Sequence, residues 1–331
     1  MVGVEHLAVP TEHPFSFPSH EAEMKTAFIT HPDCDGHITP PGHPEQVARL
    51  DVIRKALAGF DLLREDAPLG RAEDILRCHP QHYIDRIEAS VPESGWNTLD
   101  GDTHMAPGSY QAGLRGVGGV TRAVDMVVSG DAGNAFVASR PPGHHAETET
   151  AMGFCLFGNA AIAAKYALDH HGLSKVAVLD FDVHHGNGTQ DLLWHEPRAI
   201  FVSSHQMPLY PGSGARGERG AHGQMLNIPL ESGTGSVEMR AAWKNRVMPM
   251  LRREAPELII ISAGFDAHGN DPLAGLNWTT EDFAWLSREI CTVAAEVCSG
   301  RVVSTLEGGY DLEALGAATA AHVQELMEHA T

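Results

Sequence analysis

Three residues of one short stretch have the types and spacing to hold a metal. Asp180, Asp182 and His184 stand at alternate positions of residues 176–188. The stretch begins as an apolar run that reads as a buried parallel strand. A strand's period of two turns these three to one side and Phe181 and Val183 to the other. Ionised carboxylates on a buried strand are costly unless something pairs them. A divalent metal is the compact partner, since two carboxylates and one neutral imidazole suit zinc or a similar cation. The simpler alternative is a pair of aspartates capping a turn at a strand end. The sequence that follows, His185, Gly186, Asn187 and Gly188, favours the metal.

Other reactive side chains fall in equivalent places. An apolar segment at 134–139 runs into Arg140, His144 and His145; one at 258–262 runs into Asp266; one at 301–306 runs into Glu307 and Tyr310. In open parallel sheets, ligands bind in the crevice beyond the carboxyl ends of the strands. Taken singly, His144 and His145 could belong to a solvated loop, Asp266 could cap a helix and Tyr310 could be a packed aromatic. Four strand ends delivering such groups to one rim point to a site.

The elements that must position these groups alternate along the chain. Strands are expected at 25–30, 134–139, 176–182, 199–203, 258–262 and 301–306. Helices are expected at 44–58, 80–90, 108–128, 158–170, 189–194, 236–253, 279–297 and 312–328. Pro44 sits in the first turn of its helix, where its missing donor is harmless. Loops rich in Gly and Pro cover 31–44, 96–107 and 205–223, the last long enough to be functional. The pattern implies an α/β fold, a three-layer open parallel sheet flanked by helices on both faces. Residues 1–24 lack periodicity and read as an N-terminal arm. Residues 25–331 read as a single catalytic domain without linker or repeat.

Composition narrows the partners. The chain has 331 residues and 43% hydrophobic content, enough for a sizeable core. Its net charge of −20, from 23 basic and 43 acidic residues, argues against nucleic acid and anionic membrane as partners. No apolar run approaches a membrane span, and no signal peptide is visible. Five scattered cysteines with no Cys-x-x-Cys pair suit a reducing, cytoplasmic compartment.

Taken in order, the motifs form a set: His144-His145 after Arg140-Pro141-Pro142-Gly143, then Gly153-Phe154-Cys155, then Asp180 to Gly188, then Gly264-Phe265-Asp266, then Glu307-Gly308-Gly309-Tyr310. The chain resembles the zinc-dependent histone deacetylase and acetylpolyamine amidohydrolase superfamily over about residues 25–328. Gly42-His43-Pro44-Glu45, Arg49 and Asn187 resemble its class II branch. The resemblance implies an arginase/deacetylase-like sheet and a hydrolase that removes an acetyl or other acyl group from an N-acylated amine such as acetyl-lysine. It implies zinc on Asp182, His184 and Asp266, leaving a coordination position open; the donor set would also accept iron. It makes His145 the general base and then acid, with His144 beside it, Asp180 orienting His144 and Asn187 orienting His145. It gives Tyr310 to the oxyanion and lines a tunnel with Gly153, Phe154 and Tyr210, with Arg49 below. It also implies a structural potassium ion held by the central-strand backbone and Ser203. A neutral Asn raises its histidine's basicity less than a carboxylate does, so His144 and His145 should differ.

Three departures bear on the substrate. Tyr210 stands where the family usually has Phe, the loop from His205 to Pro211 is short, and Leu273 stands where a polyamine-selective relative has Glu. A leucine there cannot attract an ammonium group, which weakens the alternative reading as a deacetylase of acetylpolyamines or other small N-acyl amines. A binuclear manganese ureohydrolase, which shares the architecture, wants a carboxylate where Gly186 stands. A non-catalytic acetyl-group binder would be suggested by loss of the tyrosine, and Tyr310 is present. His268 is a candidate for the rim, and His205 reads as a buttress. The arm at 1–24 is a segment that could wrap a neighbour in a homo-oligomer.

Overall fold

The computed structural model describes residues 24–330, so the arm expected at 1–24 lies outside the described residues but for Met24. Among those residues the strands are β1 (Thr26–Thr30), β2 (Leu63–Asp66), β3 (Asn97–Thr98), β4 (His104–Met105), β5 (Asn134–Val137), β6 (Val176–Asp180), β7 (Ala199–Gln206), β8 (Met225–Leu230), β9 (Leu258–Ala263) and β10 (Val302–Leu306). Eight of them form one parallel sheet in the order β2-β1-β5-β10-β9-β6-β7-β8. The central strands open with aliphatic residues, carry polar ones such as Asp180, Ser262 and Ser304 toward their carboxyl ends, and are buried throughout, as parallel strands between helical layers must be.

Alternate residues of each strand feed two cores. Leu179 and Ile261 join Phe181, Phe265, Phe283 and Trp243 on one face. Val178 and Ile260 join Val117, Val120 and Phe157 on the other. The helices Ala48–Ala56, Thr280–Cys298 and Leu312–Glu328 cover the first face; Ser109–Ser129 and Asn159–Asp169 cover the second. At Gly118 a Cβ would sit 2.0 Å from the Pro68 carbonyl, so this glycine lets Ser109–Ser129 pack against the 67–70 segment.

The four strand ends singled out above, those of β5, β10, β9 and β6, are adjacent in the sheet. The chain leaves β6 toward β7 and β8, then returns to β9 on the other side of β6. The β6/β9 boundary is therefore a switch point, with a crevice at the carboxyl ends.

Several expectations need correction. The central strand ends at Asp180, so Asp182 and His184 come from the bend after it; Phe181 and Val183 nonetheless enter the core. The helix expected from residue 44 begins at Ala48, because the Glu45 side chain turns inward and its carbonyl accepts from Thr39 Oγ1 at 2.6 Å. The helix expected at 236–253 is Ser236–Ala242, a π-helical turn at Trp243–Val247, and Met248–Glu254. Pro249 has no N–H to continue the regular ladder. The edge strands β2 and β8 were not expected.

Candidate active site

The bend after β6 is built from the carboxylates themselves. Asp180 Oδ1 accepts from the Asp182 N–H at 3.1 Å, and Asp182 Oδ1 accepts from the His184 N–H at 2.9 Å. Aspartate side chains that bond backbone two residues on form such turns. Neighbouring strand ends complete the frame: Asp266 Oδ1 accepts from the Val183 N–H at 2.8 Å, and Asp182 Oδ2 from the Gly308 N–H at 2.8 Å. A Cβ at Gly264 would lie 2.0 Å from Asp182 Oδ2, and one at Gly308 2.1 Å from Asp266 Oδ2. Only glycine lets these backbones approach so closely.

Asp182, His184 and Asp266 meet here, with their ligand atoms all within 4.8 Å of one another and all three residues buried. His184 Nδ1 lies 3.0 Å from Asp182 Oδ1 and 3.2 Å from Asp266 Oδ2. Asp266 Oδ2 makes no hydrogen bond, because its near neighbour His184 Nδ1 does not meet it with hydrogen-bonding geometry. Burial and the neighbouring Asp182 charge push the Asp266 carboxyl up to about 7. Two buried carboxylates beside one imidazole nitrogen, with an acceptor left orphaned, fit a divalent cation of the zinc type.

Two histidines flank this cluster with different partners. His144 Nδ1 lies 3.0 Å from Asp180 Oδ2, and its Nε2 3.8 Å from Asp182 Oδ1. Burial opposes charge on His144, but Asp182 and Asp180 outweigh it and hold its pKa well above the ordinary value. His145 Nδ1 lies 2.7 Å from Asn187 Oδ1. Burial, then the nearby His144 and His184, push His145 well below the ordinary value. Glu307 fixes the loop that carries both: Oε2 accepts from the Gly143 and His144 N–H groups at 2.7 and 3.0 Å, and Oε1 from Ser262 Oγ at 3.1 Å. Burial raises the Glu307 carboxyl to about 7.

A cavity of about 410 Å³ opens over this cluster. His145, His184, Gly153 and Tyr310 line its buried floor, and Phe154, Tyr210 and Leu273 its more open walls. Tyr210 is 38% exposed, with its ring edge-on to His145 at 5.2 Å. The Tyr310 N–H donates to Asp271 Oδ2 at 2.7 Å, and burial holds the phenol protonated by raising its pKa well above the ordinary value.

Some expected residues lie elsewhere. Arg49, expected with the substrate-contacting group, does not line the cavity. It is fully buried and lies under Tyr310, with its guanidinium carbon 5.0 Å from the ring centroid. It donates to Gly309 O at 2.7 Å and to Glu45 at 3.0 Å, while Arg140 also pairs with Glu45. His268 is not among the residues lining the cavity; its Nδ1 accepts from the Asn270 N–H at 3.1 Å. Ser203 pairs in register with Asp180, and its hydroxyl lies 2.9 Å from His205 Nδ1. His205 Nε2 faces the Gly214 carbonyl at 3.1 Å and must donate, so Nδ1 accepts and the Ser203 hydroxyl donates. The Ser203 lone pairs stay available for a cation.

The sequence reading missed His43, Pro44, Asp102 and His104, which line the same cavity. His43 Nε2 meets the Asp102 carbonyl at 3.0 Å, and its ring packs edge-on against Phe154 at 4.7 Å. The loop composition of 31–44 and 96–107 marked both segments, but nothing in it shows that they meet.

A histone deacetylase domain model matches residues 43–326. An uncharacterised protein of Synechocystis is 43% identical over 286 residues, covering 84% of this chain and 92% of its own. The chloroplastic histone deacetylase 10 of Oryza sativa is 40% identical, covering 84% and 68%. The histone deacetylase-like amidohydrolase of Pseudomonas aeruginosa is 37% identical, covering 86% and 75%. The solved structure of the HDA15 HD domain superposes with a TM-score of 0.88 at 30% identity, over 93% of this chain and 89% of that one.

Proposed function

The chain belongs to the histone deacetylase family of amide-bond hydrolases, and on that premise we propose a zinc-dependent amidohydrolase that removes an acetyl or other acyl group from an N-acylated amine such as acetyl-lysine. The observation that carries the reading is the convergence of Asp182, His184 and the orphaned Asp266 Oδ2 beside an uncharged His145 and a protonated Tyr310, on the floor of one cavity.

Asp182, His184 and Asp266 would hold the zinc. When bound, it supplies Lewis acidity toward the acyl carbonyl and lowers the pKa of water. His145 takes the proton of the attacking water at Nε2 and returns it to the leaving amine, a role worth about 100- to 10,000-fold. His144, its charged form favoured by Asp182 and Asp180, adds positive charge next to it. The Tyr310 hydroxyl donates to the oxygen on which charge develops. Gly153, Phe154 and Tyr210 line the path of the acylated side chain, and Arg49 supports Tyr310 from below. We read residues 25–331 as one catalytic domain and Ser203 as the side-chain donor of a structural potassium site. Five free, buried cysteines support a reducing compartment such as the cytoplasm. No helix among the described residues is long and apolar enough to cross a membrane.

One observation keeps a second substrate class in play. The half-buried Asp102 is among the residues lining the cavity, and its acidic side chain is a candidate partner for a cationic amine. The test is kcat/KM of the zinc-loaded protein across acetyl-lysine peptide, N-acetylated polyamines and longer acyl-lysines. A tenfold lead for the peptide supports the first reading; a lead for polyamines moves the assignment to the second. Full zinc occupancy with no turnover of any member would overturn both.

A further inference from the structure

Asn187 makes a second hydrogen bond that the mechanism above does not use. Its Oδ1 faces His145 Nδ1, while its Nδ2 donates to Glu147 Oε1 at 2.7 Å and lies 3.4 Å from Met152 Sδ. We propose that Glu147 is a positioning residue that fixes the orientation of the Asn187 amide and thereby the tautomer of His145. The inference rests on the reading of His145 as the general base.

The two ends of a primary amide have nearly the same shape, so packing alone does not choose between its two orientations. Hydrogen-bond chemistry does. An ionised carboxylate only accepts, and a thioether sulfur is a weak acceptor. Glu147 and Met152 therefore both draw the NH2 end of Asn187 to their side. Oδ1 is left facing His145, so Nδ1 must carry the imidazole proton. Which ring nitrogen is protonated follows from the bond the other one makes. His145 Nε2 then keeps its lone pair for the water. With Asn187 turned over, its NH2 would donate to Nδ1, the proton would sit on Nε2, and His145 could not accept a proton there.

Glu147 is itself held in place. Its N–H donates to the Thr150 carbonyl at 3.0 Å, closing a tight turn. Next to it, the Thr148 N–H and hydroxyl donate to Asp191 Oδ2 at 2.8 and 2.6 Å. Asp191 belongs to the helix Asn187–Leu193, which Asn187 opens. Glu147 and Asn187 thus sit on two segments pinned to each other. The arrangement also accounts for the residue type at 187: an aspartate there would set a second carboxylate against Glu147.

The test uses the full-length, zinc-loaded protein. Glu147→Met replaces the carboxylate with a far weaker, uncharged acceptor and keeps much of the volume; it should lower kcat about 10- to 100-fold with KM changed less than about twofold. Asn187→Asp offers His145 an acceptor that cannot turn over, but alone it faces Glu147 and should also be impaired. The double variant E147M/N187D should recover to within about threefold of wild type. Glu147→Met would then harm the enzyme in one background and help it in the other, which a merely structural role does not produce. Equal damage in both backgrounds, or an unchanged kcat in E147M, overturns the proposal. A second readout needs no substrate: the 15N shifts of His145 should report Nδ1–H in the wild type and a shift toward Nε2–H in E147M. If no N-acyl amine is turned over, the proposed function fails while these shifts still decide the tautomer. Identical shifts in both proteins overturn the proposal on their own.

Discussion

At the floor of the cavity, the oxygens of Asp180, Asp182 and Asp266 meet backbone amides or a histidine at hydrogen-bond geometry, except Asp266 Oδ2, whose contact with His184 lacks that geometry. At the mouth the walls are loops from distant parts of the chain. His43 meets Asp102, and Leu209 and Tyr210 come from the segment after β7. The floor is anchored to four adjacent strand ends, so its groups cannot shift without moving the sheet. The mouth is anchored through a few side-chain bonds, so it can change with little cost to the core. The floor therefore sets the reaction and the mouth sets the substrate, and variants in the two regions should fail differently.

Floor variants carry the largest effects. Asp266→Ala removes the orphaned acceptor; zinc measured by elemental analysis should fall well below one per chain, and turnover should drop by more than about 1,000-fold. Tyr310→Phe should keep its zinc and its KM but lose about 100- to 1,000-fold in kcat. A mouth variant with a comparable loss of kcat at unchanged KM would break the division.

A smaller effect concerns pH at the mouth. Burial, then the neighbouring His185, lower His205 to about 3 from an ordinary 6.5. A depressed folded pKa contributes stability that is present above about pH 6.5 and lost as pH falls toward 3. Acid protonates His205 at Nδ1, which then cannot accept from Ser203, and opening residues 207–224 lets water reach the charged ring, so that segment should open more often on acidification, by up to about tenfold per pH unit below 6.5. Hydrogen exchange of that segment, corrected for its intrinsic pH dependence, measures this. Protection that stays constant from pH 7 to 5 would remove His205 as the brace of the mouth.

The same division governs how much was readable from the residues alone. Strands such as β6 and β9 begin with four consecutive aliphatic residues, 176–179 and 258–261, and buried parallel strands leave that signature. Edge strands do not: β2 is Leu63–Asp66, mostly exposed and charged, and β8 contains Asn227 and Pro229. At the site, period-two spacing put Asp182 and His184 on the strand, whereas their own side chains bend the chain after Asp180. Spacing cannot show a side chain competing for backbone donors. Nor can it show that Glu45 turns inward toward Arg140, which is 95 residues away and shortens a helix by its first turn. The contact of His43 with Asp102 spans 59 residues between two loops without periodicity. The Glu147 bond to Asn187 was equally hidden, because a glutamate in a polar turn looks like solvated surface.

The smallest expected effect bears most directly on substrate choice. Leu273 lies on the wall of the cavity, and its N–H donates to Asp271 Oδ1 at 3.0 Å. Asp271 Oδ2 also holds the Tyr310 N–H, so one carboxylate fixes the backbone of a wall residue and of a floor residue. Leu273→Glu changes only the side chain and leaves that frame intact. It should raise kcat/KM for N-acetylated polyamines about tenfold relative to an uncharged acylated amine, with kcat for the uncharged substrate little changed. The gain should shrink as salt rises, since an exposed charge pair is screened within about 8 Å at physiological ionic strength. Asp102 also lines the cavity, so Asp102→Asn should move the same ratio in the opposite direction by a smaller factor. If neither variant moves the ratio while Tyr210→Phe does, selectivity lies in the aromatic wall beside His145. The boundary between mouth and floor would then run through Tyr210.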